Sequence, residues 1–194
     1  MKKTLLITML LIPILGISQT TKPIEGFLGI KFGTGMAAVN AAVIAKGGVI
    51  DKANSTRESV IFRNVKLGHR EAASFIVRFV NDKAYEADFL FLPGQDARTI
   101  EYYNELVNDI NEIYGKGEPE ITFKSPYSEK DNETNKIVAI RNAMAEYKTY
   151  WESPNDNSIL ATISEDLGVE LTYQNDKLFN EAQAKQKAKE KSDY

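Results

Sequence analysis

Residues 73–93 read ASFIVRFVNDKAYEADFLFLP, an alternation of apolar and polar residues that marks strands. Phe75, Val77 and Phe79 alternate with Ile76 and Arg78; after the polar NDK the period of two resumes, with Tyr85, Ala87, Phe89 and Phe91 sharing one face. Two similarly sized strands, 73–80 and 84–93, joined by a tight polar turn predict an antiparallel hairpin. Upstream, SVIFRNVKLG (59–68) has the same strand character and is followed by the turn material GHRE. The three segments together predict an antiparallel meander.

On both sides of this meander the period changes to that of a helix. Ahead of it Met36, Val39 and Val43, with Ile44 at the border, recur at steps of three or four. Thr34 is placed to cap this helix and KGG (46–48) to end it, which predicts a helix over 35–46. Beyond it DARTIEYYNELVNDINEIYGKGEP carries Ile100, Tyr103, Leu106 or Val107, Ile110 and Ile113 on one stripe, stops at Gly115 and has Pro119 after the stop. Glu101 near the start of that helix complements its dipole.

The second half is less regular. SPYSEKDNETNK (125–136) reads as a polar loop, and IVAIRNAMAEYKTYW fits both periods, so we expect a helix over 136–145 handing over to a strand that ends at Trp151. SILATISED and GVELTYQN form a closing hairpin, Ile159, Ala161 and Ile163 being answered by Val169, Leu171 and Tyr173. The tail from Lys177 loses its apolar stripe after Phe179 and Ala182, which predicts a charged helix that frays. The layout is α+β: an antiparallel sheet with helices packed on one face. A second pass through helix and strands suggests two imperfect helix-plus-sheet halves, although no repeated motif establishes a duplication.

The chain starts MKKTLLITMLLIPILGISQT: Lys2 and Lys3 precede an apolar run from Leu5 to Ile17 that is too short for a stable membrane span. This is the pattern of a secretory signal peptide, with Gly16 and Ser18 as the small residues before a cut after Ser18. The expected organisation is a leader over 1–18, a single α+β domain over 19–180 and a charged tail over 181–194. Export through the inner membrane to the periplasm or the medium follows. The chain has no cysteine, so it is not a lipoprotein, carries no disulfide and has no thiolate ligand or nucleophile. The formal net charge of −3 becomes about −5 once the two leader lysines are removed, which offers no general attraction to nucleic acid. No second long apolar segment predicts a membrane span in the mature chain.

Few motifs carry chemistry. FLGIKFGTG (27–35) ahead of a helix invites a phosphate-loop reading, but the Gly-Lys-Ser/Thr of a Walker loop and the third glycine of a dinucleotide fingerprint are both missing. It reads instead as an N-terminal strand, Ile30 and Phe32 alternating around Lys31, followed by a Gly-Thr turn. His69, the sole histidine, falls in a turn and cannot alone build a zinc site or a triad. SEKDNETN (128–135) lacks the spacing and glycine of a calcium loop. No cofactor or metal is expected. Asp88, Glu101, Glu118 and Glu120 lie at or near element ends, and a glycosidase needs only two carboxylates across a cleft. Aromatic residues are the larger excess: Tyr102, Tyr147, Tyr150, Trp151 and Tyr173 are the candidate binding residues, since exposed Tyr and Trp anchor protein or glycan partners. The rival reading puts the same side chains in the core.

FLGIKFGT, FIVRF, INEIYGKGEP, the Trp151 that precedes SILATI, and VELTYQND before a lysine-rich tail resemble a family of secreted, uncharacterised Bacteroidetes proteins with a Phe-x-Gly-Ile-x-Phe-Gly-Ser/Thr opening. The resemblance spans roughly 24–180. The layout is also similar to the beta-lactamase inhibitor protein and to outer-membrane assembly lipoproteins of the SmpA/OmlA type, whose lipid-bearing cysteine this chain lacks. Those folds imply a sheet that binds a protein partner, and they transfer no catalytic residue.

Three functions fit these features. The first is a non-catalytic secreted or periplasmic protein that binds an envelope protein or glycan through an aromatic sheet face. The second is a carboxylate-based hydrolase of an extracellular polymer, and the third a structural envelope component. The balance leans away from an enzyme and leaves the oligomeric state open.

Overall fold

The expected meander is present and is half of a larger sheet. The computed structural model describes residues 22–192, so the leader and its cleavage site lie outside the described residues. The chain starts with a small hairpin, β1 (Gly26–Phe27) and β2 (Ile30–Lys31), then α1 (Met36–Ala45). Four strands of the main sheet follow, β3 (Val49–Ile50), β4 (Ser59–Arg63), β7 (Ser74–Val80) and β8 (Lys83–Phe91), with the hairpin of β5 (Lys66–Leu67) and β6 (Arg70–Glu71) inserted between β4 and β7. A 3-10 turn (Asp96–Arg98) leads into α2 (Thr99–Tyr114) and β9 (Glu118–Phe123). After α3 (Glu133–Arg141) come β10 (Ala145–Ser153), β11 (Asn157–Ile163), β12 (Val169–Asn175) and α4 (Asp176–Ser192).

The eight strands run β3-β4-β7-β8-β12-β11-β10-β9, every pairing antiparallel. Each half is a helix followed by a four-strand meander, and the halves meet where the last strand of one, β8, pairs with the last strand of the other, β12. The fold is α+β. One sheet face, with Phe62, Phe75, Val77, Phe89, Phe91, Val169, Leu171, Ile159 and Ala161, is fully buried. Val39 and Val43 of α1 and Ile100, Tyr103, Leu106 and Ile110 of α2 join the same core. Burying each of these larger side chains contributes roughly 1.5–3 kcal/mol, so the helices are held mainly by packing.

Several local expectations need correction. FLGIKF is a tight hairpin instead of one strand: Leu28 and Gly29 both take positive φ, 48° and 77°, as a two-residue turn of type I′ requires. Thr34 does not cap α1; its hydroxyl donates to the Lys31 carbonyl, while the Met36 N–H donates to Asp82 Oδ1 at 2.9 Å, a cap supplied from the β7–β8 turn. At the other end the Gly48 N–H reaches the Val43 carbonyl and the Gly47 N–H the Ile44 carbonyl, so KGG ends α1 as expected. α3 starts before its predicted position because the Asn132 side chain accepts from the Asn135 N–H, and it ends by Asn142.

The helices do not all share one face. α1 and α2 cover the core face, whereas α4 lies on the other, with Phe179 against Tyr85 at 6.2 Å between ring centres. Tyr85 is the extra residue between the Arg78–Glu86 and Phe79–Ala84 pairs, and this bulge takes it off the face of Ala87 and Phe89. No residue of α4 with described burial is fully buried; Leu178, Phe179 and Ala182 are half-covered and the helix is exposed from Gln183 onward. Among the described residues no helix is long and apolar enough to cross a membrane.

Candidate functional site

Aromatic side chains do cluster beside the closing strands, but most of the cluster is core. Tyr147, Trp151 and Tyr173 are 5%, 4% and 3% exposed, on the sheet face that α2 covers. Tyr147 meets Tyr103 edge-on, and Tyr103 Oη and Thr149 Oγ1 are hydrogen-bonded at 2.7 Å. Burial pushes the hydroxyls of Tyr103 and Tyr147 up to about 12 and that of Tyr173 higher still. The Trp151 indole donates to Asn111 Oδ1 and to the Gly115 carbonyl, both at 3.0 Å. A Cβ at Gly117 would stand 2.6 Å from the indole, so glycine there lets the chain pass against the ring. Tyr102 is half-buried, with the Arg70 guanidinium 4.7 Å from its ring centre. Tyr150 alone among the five lies on the outer sheet face. The expected exposed aromatic face is therefore reduced to one tyrosine, because alternation places 147, 149 and 151 together on the core side.

The outer face carries a different constellation. The register aligns Arg78, Glu86, Gln174 and Ser158 in one row. Ile76, Asp88, Thr172, Leu160 and Tyr150 make the next, and Ser74, Leu90, Glu170, Thr162 and Lys148 the third. The Arg78 guanidinium donates to both Glu86 and Asp88, and the Thr172 hydroxyl donates to Asp88 Oδ1 at 2.7 Å. Glu170 stands beside this cluster with no hydrogen-bond partner among the described residues. Burial, with Asp88 adding to it, holds the carboxyls of Glu86 and Glu170 above their ordinary range. An open groove of about 520 Å³ runs over these side chains, with Ile76, Leu90 and Leu160 as apolar floor and Phe179 at one end.

One guanidinium against three carboxylates leaves the groove negative. The arrangement can take up a cationic group at Glu170 while its stem lies on the apolar floor. Of the four carboxylates singled out in the sequence, Asp88 is the one in this cluster. Glu101 of α2 pairs with Arg98 at the end of the preceding 3-10 turn, while Glu118 and Glu120 are exposed on β9. His69 is exposed in the β5–β6 turn. Among the described residues no three of His, Asp and Glu converge as a metal site requires.

Arg78, Glu86, Glu170 and Thr172 were missed in the sequence, although each sits at an outward position of a predicted strand. The signal that unites them is the pairing of β8 with β12, eighty residues apart in places, which no local pattern announces. The chain matches no family model, no curated protein and no solved structure.

Proposed function

We propose that this is an exported, non-catalytic binding protein whose outer sheet groove receives a basic segment of a protein partner in the cell envelope. The observation that carries the reading is Glu170: a half-buried carboxylate without a hydrogen-bond partner among the described residues, beside an arginine already engaged by two acids, over an apolar floor. A lysine or arginine side chain satisfies both parts of such a groove, since its stem covers Leu90 or Leu160 while its head reaches Glu170. A glycan without free amino sugars offers no cation. The leader-like first residues support export.

The test is capture from the envelope of the producing cell with wild-type protein and a Glu170→Lys variant, at low and high salt. The reading expects a partner that is retained by the wild type, lost from the folded variant and weakened by salt. A partner held equally by both proteins contradicts it.

A second reading, carboxylate-based hydrolysis of an extracellular polymer, draws on the raised carboxyls of Glu86 and Glu170 on either side of Asp88. Turnover of a polysaccharide by the wild type that is abolished in a folded Glu170→Gln variant would favour it over binding.

A further inference from the structure

β9 ends the sheet, and its character differs from that of the other strands. It pairs on one side only, with β10, and five of its six residues are exposed, Ile121 to 40%. The Lys124 N–H donates to the Met144 carbonyl at 2.7 Å, so Lys124 faces β10. By alternation Thr122, Glu120 and Glu118 face β10 as well. Phe123, Ile121 and Pro119 therefore turn their backbone groups to the free edge. Proline occupies an outward position, where its missing N–H costs the β10 ladder nothing.

We infer that this edge pairs with the same edge of a second copy of the chain, antiparallel and centred on Thr122. In that register the N–H and C=O groups of Ile121 exchange hydrogen bonds with those of Phe123 in the copy, and the reverse, giving four bonds without calling on Pro119 as donor. On the core side each Ile121 lies beside Phe123 of the other chain. On the outer side Thr122 meets its own copy, and Glu120 stands opposite Lys124, an oppositely charged pair at each end. One register thus satisfies the backbone, the apolar side and the charged side together. Centring on Glu120 would oppose two like charges, and centring on Ile121 would set the Phe123 carbonyl against Pro119, which has no proton to give. The contact is isologous and closed, so it yields a dimer with a continuous sheet and no fibre. Two strands of this length cover less than a standard interface, so the dimer forms at micromolar concentrations or above. Glu118, Glu120 and the outward Pro119 restrict the edge against other strands while leaving this register open.

Sedimentation velocity of the exported, leader-free chain over roughly 1 µM to 1 mM tests the inference. The wild type is expected to shift from monomer to dimer mass. Ile121→Pro, which removes an outward donor without touching the β10 ladder, is expected to stay monomeric, as are Glu120→Lys and Lys124→Glu singly. The double variant Glu120→Lys/Lys124→Glu is expected to recover the dimer. A wild type that is monomeric throughout overturns the inference; so does a dimer unaffected by Ile121→Pro, or a double charge swap without recovery. The charge-swap set keeps the test decisive if Ile121→Pro fails to fold.

Discussion

The Thr172 hydroxyl donates to Asp88 Oδ1 at 2.7 Å across the line where β12 meets β8. That one bond joins the two helix-plus-meander halves on the outer face and also fixes a carboxylate of the candidate groove.

Thr172→Val removes the donor while keeping the β-branched shape. Asp88 keeps Arg78 but loses its neutral partner, so unfolding stability should fall by about 1 kcal/mol. Urea denaturation of the two proteins checks this, and an unchanged midpoint would mean that the hydroxyl contributes nothing across the seam.

Trp151 and its neighbour Tyr150 should behave oppositely despite being adjacent. Trp151→Ala empties a buried site and removes one of the two donors to Asn111 Oδ1, which keeps the Gly117 N–H, for a loss of about 3–5 kcal/mol. Tyr150→Ala on the outer face should cost about 1 kcal/mol or less. Denaturation midpoints of the single variants separate them; similar losses would put Tyr150 in the core as well.

Asp82→Ala tests the long-range cap of α1. The Met36 N–H loses its acceptor, which should lower stability by about 1 kcal/mol. Amide exchange at the first turn of α1 should speed up, with α2 unaffected.

Glu170 gives a pH dependence of unusual sign. Its folded carboxyl is held above the ordinary 4.5, chiefly by burial, so the folded protein keeps the proton more tightly than the unfolded chain does. Its contribution is full below 4.5 and is lost as pH rises through the folded value. Glu170→Gln should therefore be more stable than the wild type at neutral pH, with the difference shrinking as pH falls through the folded value towards 4.5. Thermal midpoints across that range check the direction, and a variant less stable at neutral pH would contradict the burial argument.

The alternation in 73–93, the stripe of α2 and the closing hairpin were legible because each pattern is local and strong. What escaped depended on contacts distant in sequence. The cap of α1 comes from Asp82 and not from the adjacent Thr34, and the bulge at Tyr85 moves one aromatic to the other face. β9 escaped for a different reason: an exposed edge strand containing Pro119 has no apolar alternation to display. The aromatic excess was visible, but its exposure was not, since a strand's pattern tells which residues share a face and not which face a helix will cover. Arg78, Glu86 and Asp88 stood in plain view on neighbouring strands, whereas Glu170 joins them only through the pairing of the two halves.

Amide chemical-shift mapping while a short oligolysine peptide is titrated into the chain from residue 19 onward asks whether the outer groove binds a cationic segment. Shifts are expected to be confined to the outer-face residues of β7, β8, β11 and β12, including Asp88, Glu170 and Thr172. They should be weakened by salt and absent from Glu170→Lys, and oligoglutamate should produce none. Shifts scattered over the surface, or the same shifts in Glu170→Lys, would contradict the assignment of this groove as the binding site.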